Sequence, residues 1–185
     1  MLDANELRKG TTFFLDGELY QVLEYQHHKP GRGNAIIRTK LRNLRTGSTV
    51  PRNFLSGDRF EQAMVERRTM QFLYSDDEFY HFMDTETYDQ VRISNALLGE
   101  KAGYIKEGMQ IVVSMHGSEP LDVELPAAVE LEVTEAPLAV AGDTATGASK
   151  RVTLETGLQV DVPLFVNEGD VIRVDTRSGE YITRV

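Results

Sequence analysis

The chain has 185 residues, with 29 Asp and Glu against 20 Lys and Arg, a formal charge of −9, and neither Cys nor Trp. A chain that is 41% hydrophobic and 26% charged is not a disordered one, and without cysteine it has no disulfide, thiolate metal site or cysteine nucleophile. No stretch approaches the ~20 apolar residues of a membrane helix, and Met1-Leu2-Asp3-Ala4-Asn5-Glu6 lacks the cationic start of a signal peptide, so the expectation is a cytoplasmic protein with no membrane partner.

Period-two alternation between turn signals predicts an all-β chain. Residues 11–15 form a strand, Asp16-Gly17 a hairpin turn, and 18–25 the returning strand. Residues 26–34 are a connection rich in Gly and Pro. In 35–43, Ala35, Ile37, Thr39 and Leu41 share one face and Ile36, Arg38, Lys40 and Arg42 the other. Three cations therefore project together, two residues apart. A turn at Arg45-Thr46-Gly47 leads into 48–54, and the pattern to residue 64 is that of a small, strongly bent antiparallel barrel. The second unit, 65–127, has strands at 66–74, 79–83, 89–94 and 110–116, with a short helix at 95–102. In its first strand Arg68, Met70, Phe72 and Tyr74 alternate against Arg67, Thr69, Gln71 and Leu73. The third, 128–185, opens with 128–136, where Val129, Leu131 and Val133 face inward. A loop of small residues at 141–149 separates it from strands at 152–154, 159–162, 171–175 and 181–184. Pro120, Pro126 and Pro137 punctuate the middle of the chain. Five short strands with one longer connection suit an oligonucleotide-binding (OB) barrel; periodicity equally allows an SH3-like barrel.

The negative total is unevenly distributed. Residues 1–64 carry +3, 65–128 carry −7 and 129–185 carry −5. From 25 to 57 there are 33 residues with no acid and seven cations: Lys29, Arg32, Arg38, Lys40, Arg42, Arg45 and Arg52. Such a run is either a solvated strand surface or an anion-facing one. Its density in so acidic a chain favours the second, with phosphate as the anion. Within it, Lys29-Pro30-Gly31-Arg32-Gly33-Asn34 sets two glycines around one cation. Pro30 fixes a backbone angle, and Gly31 and Gly33 permit left-handed conformations. This is either a plain tight turn or a thin tip that carries a planar five-donor head into a narrow cleft. The loop 141–150, with Gly142, Asp143, Thr144, further hydroxyls and Lys150, is likewise either a surface loop or a polar contact to nucleic acid.

Nothing marks an enzyme. Gly31–Gly33 lacks the spacing and the Lys-Ser/Thr of a phosphate loop, and the Gly-x-Ser-x-Gly elbow is absent. No carboxylate pair stands out by spacing. His27 and His28 point to opposite sides of an extended backbone, against a shared metal; His81 and His116 are isolated. The expectation is a monomer with no metal and no cofactor.

Lys29-Pro30-Gly31-Arg32-Gly33-Asn34-Ala35 resembles the tip motif of bacterial elongation factor P. The third unit is similar throughout to that family's C-terminal signature: Gly142-Asp143-Thr144, Thr153-Leu154-Glu155-Thr156-Gly157, Val162-Pro163-Leu164-Phe165, Glu168-Gly169-Asp170 and Val174-Asp175-Thr176-Arg177-Ser178-Gly179-Glu180-Tyr181. The resemblance covers the whole length. It implies an SH3-like (KOW-like) domain at 1–64 and two OB-fold domains at 65–127 and 128–185, arranged in an L that mimics tRNA. It implies a translation elongation factor that binds the ribosome beside the peptidyl-tRNA and relieves stalls at consecutive prolines. Arg32 would contact the peptidyl-tRNA acceptor end with Lys29 in support, Arg38, Lys40 and Arg42 would face RNA, and Gly142, Asp143 and Thr144 would lie near the messenger and the small subunit. Many members carry, at the position of Arg32, a lysine modified by β-lysine. Arg32 lacks that amine, so the resemblance implies rhamnosylation by a dedicated transferase, or action unmodified. Arg151-Val152 also departs from the Pro-Ala expected after Lys150. The alternatives are a paralogue with other stall specificity, a generic single-stranded RNA binder, which should show aromatic stacking platforms, and, more distantly, a small glycosidase.

Overall fold

The computed structural model describes residues 1–138 and 148–185. Three antiparallel sheets account for nearly all of it. The first has the order β1-β6-β2-β3-β4-β5, built from β1 (Leu2–Asp3), β2 (Thr12–Leu15), β3 (Glu18–His28), β4 (Ile36–Asn43), β5 (Thr49–Leu55) and β6 (Arg59–Gln62). The second has the order β11-β10-β7-β8-β9, from β7 (Glu66–Ser75), β8 (Phe79–Asp84), β9 (Gln90–Ser94), β10 (Gln110–His116) and β11 (Glu119–Glu124). The third, β14-β13-β12-β15-β16, contains β12 (Ala128–Glu135), β13 (Ser149–Leu154), β14 (Gln159–Pro163), β15 (Val171–Asp175) and β16 (Tyr181–Arg184). By compactness the residues group into two units: Met1–Arg67 with Ser114–Asp122, and Arg68–Val113 with Val123–Val185.

In the first unit, Asp16 and Gly17 both take left-handed backbone, at φ 51 and 78. That is the two-residue turn whose twist matches its flanking strands. It sets the register Leu15↔Glu18 and Phe13↔Tyr20. Phe13, Phe54 and Phe60 meet in the core with ring centroids 4.7–6.2 Å apart, joined by Leu7, Val22, Ile37 and Leu41. A second small cluster, Leu19, Ala63 and Leu121, closes the same unit.

In the second unit, Met70, Phe72, Phe82 and Ile93 are buried, and Phe72 lies 5.2 and 5.4 Å from Tyr80 and Phe82. The expected helix is shorter than the sequence predicts: α1 (Asn95–Leu98) is capped by the Ser94 hydroxyl and ends at Gly99, φ 53, where a 3-10 stretch Gly99–Tyr104 takes over. Ten buried aliphatic residues from β12–β15 and the loop at Val166 form the last core, with Tyr104 and Met109 packed on it. The Thr156 hydroxyl donates to the Gly103 carbonyl at the same seam.

Candidate nucleic-acid interface

The strand β3 is longer than the sequence predicts. Its pairing with β4 continues through Tyr25↔Thr39, Gln26↔Arg38 and His27↔Ile37 to His28↔Ile36, so the connection shrinks to residues 29–35. Tyr25 holds this extension: its ring packs edge-on to His27 at 6.0 Å and lies under the Arg8 guanidinium at 5.3 Å. The loop is closed at its base by the Ser56 amide, which donates to the Ala35 carbonyl at 2.9 Å.

At the tip, Lys29, Gly31, Arg32, Gly33 and Asn34 are exposed and Pro30 half-buried. The two glycines differ. Gly33 sits at φ 99, whereas Gly31 keeps an ordinary φ; a Cβ at either would meet nothing within 4 Å. Only Gly33 needs to be glycine for its backbone.

Behind the tip, alternation along β4 buries Ile37, Thr39, Leu41 and Asn43 and exposes Arg38, Lys40 and Arg42. Thr39 is tolerated inside because its hydroxyl donates to the Arg52 carbonyl at 2.8 Å. The exposed row faces Gln26 and Glu24 on β3 and Asn53, Pro51 and Thr49 on β5. Glu24, Tyr25, Gln26, Arg38, Thr39 and Lys40 line a shallow depression of about 180 Å³.

The structure sorts the seven cations of the acid-free window. Arg45 is engaged: Nε and Nη2 donate to the two carboxylate oxygens of Glu119 at 3.1 and 3.4 Å, and Nη1 to the Gly17 carbonyl. That fork raises the Arg45 pKa further. Arg52 lies 3.6 Å from the Asp16 carboxylate. Among the described residues, Lys29, Arg32, Arg38, Lys40 and Arg42 form no ion pair. Five unneutralised cations thus occupy one loop and one strand face, the arrangement that gains most from displacing counterions on phosphate. The sequence did not distinguish them from Arg45 and Arg52, because Glu119 and Asp16 lie outside the window.

The loop residues Gly142, Asp143 and Thr144 lie outside the described residues. Among the described residues no group of His, Asp and Glu is placed to hold a metal, and no helix is long and apolar enough to cross a membrane. The acidic turn 76–78 instead closes on itself. Asp76 accepts from the amides of Glu78 and Phe79 and from His81 Nε2 at 2.7 Å.

Comparison with known proteins gives the same assignment along the whole chain. Residues 3–60 match the model of the elongation factor P KOW-like domain, 65–123 that of its OB domain, and 129–184 that of its C-terminal domain. The elongation factor P of Pelotomaculum thermopropionicum is 52% identical over 185 residues, and that of Caldanaerobacter subterraneus 50%; each match spans 100% of both chains. Two solved structures share the fold. Eukaryotic translation initiation factor 5A from Methanococcus jannaschii has a TM-score of 0.50 at 18% identity, over 66% of this chain and 94% of its own. An eIF-5A family protein from Naegleria fowleri has a TM-score of 0.53 at 17% identity, over 67% and 96%. With three domain models in order and full-length relatives at half identity, the chain belongs to the bacterial elongation factor P family, translation elongation factors that act on the ribosome and are not enzymes.

Proposed function

We propose that the chain binds the ribosome beside the peptidyl-tRNA and stimulates peptide-bond formation where consecutive prolines stall synthesis. One observation supports this above the others: Arg32 stands exposed on a loop with Gly33 in left-handed backbone, followed in the chain by three exposed cations on one strand face, and none of the four forms an ion pair among the described residues. Proline is a stiff, poor nucleophile, so the useful contribution is geometric. A cation at the acceptor end holds the peptidyl-tRNA in a reactive arrangement, and ribosomal RNA does the chemistry. Arg32 makes that contact, Lys29 supports it through phosphate, and Arg38, Lys40 and Arg42 track the RNA backbone. In this reading the chain has three domains, 1–64, 65–127 and 128–185. Gly142, Asp143 and Thr144 approach the messenger and the small subunit.

Arg32→Ala is expected to abolish the acceleration of Pro-Pro-Pro synthesis in a purified translation system while ribosome co-sedimentation weakens only modestly. Tripeptide synthesis at the wild-type rate would overturn the assignment. The same guanidinium is the proposed site of rhamnosylation by a dedicated transferase. The intact mass of protein from its native host, with peptide mapping across residues 29–38, reads this directly: one deoxyhexose on Arg32 is expected, and an unmodified peptide means that the bare side chain acts.

A further inference from the structure

The second sheet carries an aromatic outer face that alternation alone would not place. Tyr74 follows Phe72 by two residues, and an unbroken strand would send both to the core. Pairing shifts between them instead: Phe72 faces Phe82, but Tyr74 faces His81. The extra residue, Leu73, is a bulge that turns Tyr74 to the opposite face. Across β8 and β9 the row continues, His81 against Arg92, with Phe79 against Ser94 beside it. The inward set is already filled by Phe72, Tyr80, Phe82 and Ile93.

The outer row is organised for stacking. The Tyr74 and His81 rings are 4.3 Å apart and 14° from parallel, and Tyr74 remains 55% exposed. His81 is fixed in plane by the Asp76 carboxylate at 2.7 Å. The bond to His81, then the amides of Glu78 and Phe79, hold Asp76 down at about 2, so it stays an anion and its charge is committed to that ring. Arg92 is exposed, lies 4.7 Å over the Phe79 ring and has no carboxylate partner among the described residues.

We propose that the outer face of β7–β9 is a stacking site for an unpaired RNA base, with the Tyr74–His81 pair receiving the base and Arg92 the adjoining phosphate. The base adds a third layer to an existing π-stack, the sequence-tolerant contact used for single-stranded nucleic acid. The matched OB segment makes β8 and β9 its second and third strands, the face such barrels offer to oligonucleotides. A basic polypeptide fits less well, because the free charge in the row is a cation. Asp77 and Glu78, exposed at the neighbouring turn, restrict the contact to one nucleotide. The site belongs to a different unit from the Arg32 tip and does not rest on its function.

The test is site-resolved NMR of the full-length protein titrated with a short oligoadenylate. Ring resonances of Tyr74, His81 and Phe79 should shift together, and Tyr74→Ala should weaken that binding roughly five- to a hundredfold, with Tyr74→Phe retaining it. With a single phosphate engaged, the logarithmic salt slope read at these rings should be about −0.7, against about −2 at a face using three cations. Arg32→Ala should leave both readouts unchanged. The proposal is overturned if shifts appear only around Arg38, Lys40 and Arg42, if Tyr74→Ala binds as wild type, or if an arginine-rich peptide but not the oligonucleotide moves the Tyr74 and His81 rings.

Discussion

The tip loop shows how one backbone angle can decide a site. Gly31 and Gly33 flank Arg32 symmetrically in sequence, yet only Gly33 occupies left-handed space. An L-residue there costs ~1–2 kcal/mol, which the protein escapes by moving the loop. Gly33→Ala should therefore displace the Arg32 head and slow Pro-Pro-Pro synthesis by up to about thirtyfold. Gly31→Ala, entering open space at an ordinary φ, should leave the rate within twofold. Equal effects of the two substitutions would mean that backbone conformation at Gly33 does not place Arg32. The motif itself was legible in the sequence. Which glycine carries it was not, because both readings of Gly31 satisfy the same spacing.

At the scale of elements, three hairpin turns repeat one device. Asn43, Asp84 and Asp175 each accept from the amides two and three residues on with a side-chain oxygen, and from the fourth with the backbone carbonyl. The fourth residue is left-handed in each: Gly47 at φ 78, Gly179 at φ 75, and Tyr88 at φ 63. Tyr88 thus occupies a glycine position while 71% exposed. Relief of the left-handed penalty, ~1–2 kcal/mol, outweighs the flexibility that glycine adds to the unfolded chain, ~0.5–1 kcal/mol. Tyr88→Gly should raise the calorimetric Tm by about 1–4 °C; a fall would show that the ring makes a stabilising contact. The sequence pattern does not predict β1, β6 or β11, and proline explains the last of these. Pro51, Pro120 and Pro163 lie in β5, β11 and β14, each at a sheet edge. An edge strand tolerates the missing ladder donor, because one side of it has no neighbour to receive it. Pro120 reads as punctuation until the sheet order is known, and β11 was missed for that reason.

For the molecule as a whole, net charge is a poor guide to partners, and pairing state is a better one. Arg151, Arg173 and Arg184 each lie within 4 Å of a carboxylate, Asp161, Glu130 and Asp170, whereas Arg38, Lys40 and Arg42 form no ion pair among the described residues. Replacing the latter three by Gln should flatten the salt dependence of ribosome binding by about 0.7–0.9 logarithmic units per cation. Replacing the three paired arginines should change the slope much less, since their charge is already balanced. Co-sedimentation at graded salt measures both, and identical slopes for the two triple variants would contradict the pairing argument.

The sequence by itself determined the all-β class, most strands, the inward faces of β4 and β12, the exposed tip and the run of cations. Each is a local property, fixed by a two-residue period or by turn chemistry within a few positions. Tertiary structure alone decided which cations remain free, because Glu119 stands 74 positions from the arginine it neutralises. It also decided where Tyr74 points. The bulge at Leu73 is a fact about register with β8, and register is set by the partner strand, which no single strand's pattern contains.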